Sequence, residues 1–258
     1  MSVLCVLPAR IGSERIPRKP LQVIAGKPLI EWSWRAASRI ADFGAVWVAT
    51  DSREIAACVE GFGGVAVLTS PDHASGTDRV AEAANGEAAQ SFDAVVNFQP
   101  DEPFTDPAAV REALASVLGG TAEISTLAAP IRSLEEWRSE SVVKVARAAD
   151  GRALYFSRGQ IPHRRGGEPD LADPLDAGTE SPYLQHLGLY VYTRAALRQW
   201  VALPPSPLER LERLEQLRPL EAGMRIQVVF TNRAEMGIDE PRDLSRAERK
   251  LESLFRNG

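Results

Sequence analysis

Apolar positions in the first hundred residues gather into short unbroken runs. Val3-Leu4-Cys5-Val6-Leu7 stops at Pro8, and an apolar run of that length bounded by turn residues reads as a strand buried on both faces of a parallel sheet. Ala45 to Thr50, Val65 to Leu68 and Ala94 to Phe98 repeat the pattern. Between them the apolar spacing becomes helical: Leu29, Ile30, Trp32, Ala36, Ala37 and Ile40 predict a helix over 29–40. A second helix is predicted from Arg53 to Phe62, with Asp51-Ser52 as its N-cap signal and Gly63-Gly64 as its C-cap signal. A third follows the polar loop Thr69 to Thr77, and Pro20 to Val23 with Gly26-Lys27-Pro28 predicts a short extended segment and turn. Repeated strand, loop and helix predicts an α/β fold whose sheet is mainly parallel and flanked by helices.

Beyond residue 120 the alternation weakens. Glu123 to Ile131, Ser141 to Arg147, Ala153 to Ser157, His186 to Tyr192 and Arg225 to Phe230 read as strands with fewer helices between them. Residues 164–182 are rich in Gly, Pro and Asp, the composition of a lid or of a plain surface insertion. Leu208, Leu211, Leu214, Leu217 and Leu220 recur every third position and predict one amphipathic helix, along which Glu209, Glu212 and Glu215 also recur. A charged helix closes the sequence.

Composition narrows the class. Of 258 residues, 44% are hydrophobic and 25% charged, the balance of a water-soluble globular protein with a substantial core. A net charge of −5 argues against a general nucleic-acid binder and makes any basic cluster a local feature. Cys5 and Cys58 lack metal-ligand spacing and are expected to be reduced. The N-terminus does not read as a signal peptide, and no apolar stretch approaches the roughly 18 residues needed to span a bilayer, so a cytoplasmic protein is expected.

Candidate chemistry lies where strands end. The loop after the first strand carries Arg10, Arg15, Arg18 and Lys19 around Gly12 and Ser13. In open α/β sheets ligands bind beyond the carboxyl ends of strands, and arginine forks with a lysine point charge match phosphate oxygens. The same composition describes an ordinary basic surface loop. Asp101-Glu102 follows the fourth strand and suits Mg²⁺, which takes one or two carboxylates beside substrate phosphates; a loop acid is the plainer reading. Asp239, after the last apolar run, offers a second carboxylate or a helix-start signal. His186 and Tyr190 are four apart, so on a strand they share a face. No Gly-x-Ser-x-Gly, P-loop or paired metal-binding His occurs, which favours direct displacement over a covalent intermediate.

Taken together, these segments closely resemble the CMP-Kdo synthetases, the cytidylyltransferases that make CMP-3-deoxy-D-manno-octulosonate. The matching residues run from Pro8-Ala9-Arg10 through Pro17-x-Lys19-Pro20-Leu21, Gly26-Lys27-Pro28 and Val48-Ala49-Thr50-Asp51 to Asp72-His73-x-Ser75-Gly76-Thr77-x-Arg79. They continue with Asp101-Glu102-Pro103, Ala153 to Arg158, His186-Leu187-Gly188-x-Tyr190, Pro205 to Glu209, Leu214 to Arg218 and Gly237-x-Asp239-x-Pro241. The resemblance implies a Rossmann-like nucleotide-diphospho-sugar transferase fold, 1–258 as one cytidylyltransferase domain, with 1–120 binding CTP and 121–235 serving the acceptor and dimerisation. It implies that Ala9, Arg10, Ser13, Arg15 and Lys19, with His73, Ser75, Gly76, Thr77 and Arg79, hold the nucleotide. Gln99, Arg165, His186, Tyr190, Glu212 and Glu215 would bind the sugar acid, and Asp101 and Asp239 would bind Mg²⁺. Arg10, Lys19, Asp101 and Asp239 are the implied catalytic set, in a cytoplasmic homodimer acting in lipopolysaccharide synthesis without nucleic acid or membrane.

The chain departs from the family pattern at three places, covering four residues. Pro100 stands where glycine is usual, removing an N–H and fixing φ just before Asp101. His163-Arg164 replaces an aromatic residue and an acid, and Gln185 replaces an arginine, both on the acceptor side. The competing readings are a cytidylyltransferase for another sugar acid or a phosphonate, and a nucleotide-binding module without catalysis.

Overall fold

The computed structural model describes residues 2–13, 15–171, 181–232, 237–238 and 240–256, with side chains to 252. It divides into two compact units: Met1–Thr105 with Glu235–Gly258, and Asp106–Ala234.

Unit 1 opens with β1, Val3–Ala9, in which Leu4, Cys5, Val6 and Leu7 are wholly buried, as the five-residue run predicts. A 3-10 turn at Lys19–Leu21 leads to a hairpin of β2, Val23–Ile24, and β3, Lys27–Pro28. Helix α1, Leu29–Ser38, buries Leu29, Ile30, Trp32 and Ala37. Strand β4 is Ala45–Thr50, α2 is Arg53–Gly61 and β5 is Val65–Leu68. Ser52 alone caps α2, accepting a hydrogen bond from Ile55 N; Gly63 ends it at φ +86, a value glycine reaches without a Cβ clash. Helix α3, Gly76–Asn85, starts with a capping box between Ser75 and Asp78, and β6 is Ala94–Asn97. The four long strands lie in the order β6-β1-β4-β5, all parallel. Strand order across this sheet reverses at β1, which has β4 on one side and β6 on the other.

Unit 2 contains α4, Pro107–Leu118; β7, Ile124–Pro130; α5, Leu134–Arg138; β8, Lys144–Arg147; and β9, Ala153–Ser157. It continues with β10, Leu184–Thr193; α6, Arg194–Ala202; α7, Pro207–Glu212; α8, Leu217–Glu221; and β11, Ile226–Phe230. Here β11 runs parallel to β7, whereas β7, β10, β8 and β9 are joined antiparallel. The leucine repeat over 208–220 is not one helix. Arg213 adopts φ 54 and splits it into α7 and α8, leaving Leu211 80% exposed. A repeat of three drifts around a helix of 3.6 residues per turn, so five such leucines cannot share one face.

The chain returns to unit 1 with α9, Pro241–Arg256. Ala247 and Leu251 of α9 and Ile238 pack with Ile16, Ile24, Leu29 and Trp32. Ile16 thereby fixes the basic loop after β1 into an apolar cluster. The tract 164–182 is described only in part, and residues 172–180 of it lie outside the described residues. Both cysteines are free, and among the described residues no helix is long and apolar enough to cross a membrane.

Candidate active site

Strand β6 stops pairing with β1 at Val6, where Phe98 N donates to Val6 O at 3.0 Å, while β4 stays paired through Ala9. Pro8, which has no N–H to offer, falls in the released stretch. The strands part there, at the point where strand order reverses, which is where open parallel sheets bind ligands. A pocket of about 380 Å³ lies at this point. It is lined by Pro8, Arg10, Ser13, Arg15, Lys19 and Pro20 from the loop after β1, by His73, Ala74, Ser75, Gly76 and Arg79 from the start of α3, and by Gln99, Pro100 and Asp101 after β6.

Each rim is held from behind. After β1, Ser13 N donates to Ile11 O at 3.0 Å to make a turn, and Ile16 anchors the far end of the loop. Arg18 takes a left-handed φ of 56 and its guanidinium pairs with Glu54 on α2, so of the four loop cations three line the pocket. After β6, Ser33 Oγ donates to Pro100 O at 2.7 Å and Ile238 N donates to Asp101 O at 3.1 Å. These bonds fix the Asp101 backbone although Pro100 supplies no N–H of its own. The carboxylate of Asp101 meets Lys19 Nζ across the pocket.

The α3 rim is tied to the sheet through Arg79, a side chain only 4% exposed. Its guanidinium donates to Thr69 Oγ1 at 2.6 Å and to Asp51 Oδ2 at 3.1 Å. Asp51 Oδ1 also accepts from Ile11 N at 3.4 Å. Asp51 is therefore not the cap of α2 but the link between two rims of the pocket. Buried alone, the Arg79 charge would be costly; paired to Asp51 it is held in place. Ser75 Oγ accepts from Asp78 N while Asp78 accepts from Ser75 N, so the first turn of α3 is internally satisfied. A Cβ on Gly76 would stand 3.4 Å from Pro8 Cγ, a close approach between two rims.

Of the residues expected to bind nucleotide, Arg10, Ser13, Arg15, Lys19, His73, Ser75, Gly76 and Arg79 line this pocket together with Gln99 and Asp101. Ala9, the last residue of β1, and Thr77, in the first turn of α3, are buried and do not line it. Asp239 lies outside the described residues. Sequence reasoning missed Pro8, Pro20 and Pro100 as lining, and Asp51, Thr69 and Glu82 as supports. For Asp51 the signal was its place at the end of β4; for the others no local pattern marks them.

The chemistry of the donor set bears on Mg²⁺. Among the described residues no group of three or more His, Cys, Asp or Glu side chains gathers to hold a metal by protein alone. Mg²⁺ needs only one or two carboxylates when substrate phosphates complete its shell, and one carboxylate in a pocket ringed by phosphate-suited cations fits that mode.

The remaining candidates lie in unit 2. His186 on β10 has Nε2 2.9 Å from Thr126 Oγ1, with its ring 5.1 Å from Phe156 and 5.3 Å from Tyr190. His186 and Tyr190 do share a face, although β10 slips register against β7 between Leu187 and Tyr190. Desolvation pushes the His186 pKa down to about 3, so the ring is neutral. Tyr190 stacks on Tyr192 and meets Trp200 edge-on, and burial raises its pKa. Glu212 accepts from Ser157 Oγ at 2.6 Å, Arg158 N at 2.9 Å and Tyr155 OH at 3.4 Å. Burial alone would raise its pKa, but these bonds bring it below the ordinary carboxylate value. Its carboxylate is thus committed to the end of β9. Glu215 is half-buried, and Arg165 is exposed.

Comparison with known proteins bears on all of this. Residues 4–226 match a family model described as cytidylyltransferase. The chain is 46% identical over 255 residues to a 3-deoxy-manno-octulosonate cytidylyltransferase of Xanthomonas campestris, covering 97% of this chain and 100% of that protein. A protein of the same description from Trichlorobacter lovleyi is 42% identical, with 97% and 99% covered. A solved CMP:2-keto-3-deoxy-manno-octonic acid synthetase complexed with CTP superposes with a TM-score of 0.86 at 36% identity, covering 98% of this chain and 99% of that one.

Proposed function

We propose that this chain, which belongs to the cytidylyltransferase family, holds CTP in the unit 1 pocket and transfers its CMP group to 3-deoxy-D-manno-octulosonate (Kdo). It is a nucleotidyltransferase. The observation that carries the reading of the site is the pocket itself. Arg10, Ser13, Arg15 and Lys19 line one rim, the His73–Gly76 loop another and Asp101 a third.

The anomeric 2-hydroxyl of the sugar acid attacks the α-phosphorus of CTP in line. An O–P bond forms as the bond to the bridging oxygen breaks, the hydroxyl proton leaves, and pyrophosphate departs. Arg10, Arg15 and Lys19 bind the triphosphate and stabilise charge that builds on its oxygens, within a cradle whose rims are already fixed. The His73–Arg79 stretch takes the cytidine, and Ala9 and Thr77 keep the nucleotide roles that the family resemblance implies. Mg²⁺ would be held by Asp101 and Asp239 with triphosphate oxygens, where it supplies Lewis-acid polarisation of the phosphates. Gln99, Arg165, His186, Tyr190, Glu212 and Glu215 keep the sugar-acid roles that the family resemblance implies. The division into 1–120 for CTP and 121–235 for the acceptor and dimerisation, and a cytoplasmic homodimer acting without nucleic acid or membrane, complete the proposal.

Pyrophosphate release from CTP, measured with Mg²⁺ and a panel of acceptors, tests it. Release that requires Kdo supports the proposal. Release only with another sugar acid or a phosphonate moves the specificity to His163, Arg164 and Gln185, and CTP binding with no release under any acceptor overturns the catalytic reading.

A further inference from the structure

His73 lines the pocket, yet the group that holds its ring does not. Glu82, on the second turn of α3, reaches back under the loop that precedes its own helix. Its Oε2 accepts from His73 Nε2–H and, at 2.9 Å, from Ser70 N. Ser70 Oγ in turn accepts from Asp72 N at 3.2 Å. The helix under Glu82 is locked by the Ser75–Asp78 capping box, so the carboxylate is a fixed point to which both the start of the loop and the imidazole are tied. Burial alone would raise the Glu82 pKa, but the Ser70 and His73 bonds bring it below the ordinary value, and the group is an anion at neutral pH. With this anchor removed, the imidazole and the 70–74 backbone gain conformers that nucleotide binding must then freeze out.

We infer that Glu82 is a positioning residue for the nucleotide, acting through the imidazole of His73 while touching no substrate itself. The inference rests on the reading of this pocket as the CTP site.

The test is a double-mutant cycle on the full chain, reading CTP·Mg²⁺ affinity by calorimetry and KM and kcat by turnover. Glu82→Gln weakens CTP about five- to tenfold, the scale of trading a charged hydrogen-bond acceptor for a neutral one, with the KM for the sugar acid unmoved. His73→Ala weakens CTP comparably, and adding Glu82→Gln to it costs clearly less than Glu82→Gln does alone, the remainder being the bond to Ser70 N. A Glu82→Gln effect of equal size in both backgrounds overturns the inference, as does no effect in either. A His73→Ala variant with unaltered CTP affinity also overturns it. Arg10→Ala then separates the two ideas, since its loss of CTP affinity does not depend on Glu82: if Arg10→Ala also binds CTP normally, the nucleotide reading of the pocket falls too.

Discussion

Asp101 faces Lys19 Nζ across the pocket, with both side chains less than a quarter exposed. A partly solvated pair of this kind contributes about 1 kcal/mol or less to folding. On the proposed reading the carboxylate's value lies in the reaction, where an anion among cations that would bind phosphate is useful only if a further cation joins the substrate. Asp101→Asn is expected to lower kcat by about 100-fold or more while moving the thermal midpoint little, since several kcal/mol of transition-state stabilisation are at stake and little folding energy is. Steady-state kinetics beside a melting curve checks this. An unchanged kcat with ordinary Mg²⁺ dependence would remove Asp101 from the metal site. Arg79 is the opposite case, a pocket residue whose charge is already spent on Asp51 and Thr69. It shapes the rim rather than offering a free cation to phosphate.

Elements carry the site by how they end. Strand β1 ends in an anchored basic loop, β6 in a turn pinned by Ser33 and Ile238, and α3 begins in a capping box. In unit 2, β10 sets His186 among Phe156, Tyr190 and Thr126. Folded, this imidazole resists protonation down to about pH 3, whereas in the unfolded chain it takes a proton near its ordinary 6.5. The unfolded state thus binds more protons between those values. The contribution of His186 is present in full above pH 6.5 and is lost progressively as pH falls toward 3. His186→Gln, which keeps a partner for Thr126, is expected to flatten the fall in thermal midpoint across that window relative to the unmodified chain. Parallel curves would contradict the burial of a neutral ring.

The same elements show what was legible beforehand. The strand–helix alternation to residue 100 was readable because each strand is a continuous apolar run and α2 carries a cap signal at Ser52, although α1 follows Pro28 with no side-chain cap. The leucines from 208 to 220 misled because spacing alone ignores the left-handed turn at Arg213. The pocket rims were readable from cations and carboxylates at strand ends. Arg18 was not separable from its neighbours, because its partner Glu54 lies 36 residues away on α2. Asp51, marked only by its place at the end of β4, and Glu82, marked by nothing local, take their roles only once Ile11, Arg79, Ser70 and His73 are brought beside them.

At the scale of the molecule, the chain leaves unit 1 at Thr105 and re-enters it at Glu235, so the first and last segments complete one core. Residues from α9 close the apolar cluster around Ile16, and a loop rich in like charges is thereby held in one conformation by packing at its apolar member. On the proposed function, this pre-shaped pocket receives CTP. Crystals soaked with CTP and Mg²⁺ test it most directly. Density is expected for the triphosphate against Arg10, Ser13, Arg15 and Lys19 and for the cytosine against the His73–Gly76 loop. CTP bound elsewhere on the molecule, with this pocket left to solvent, would contradict it.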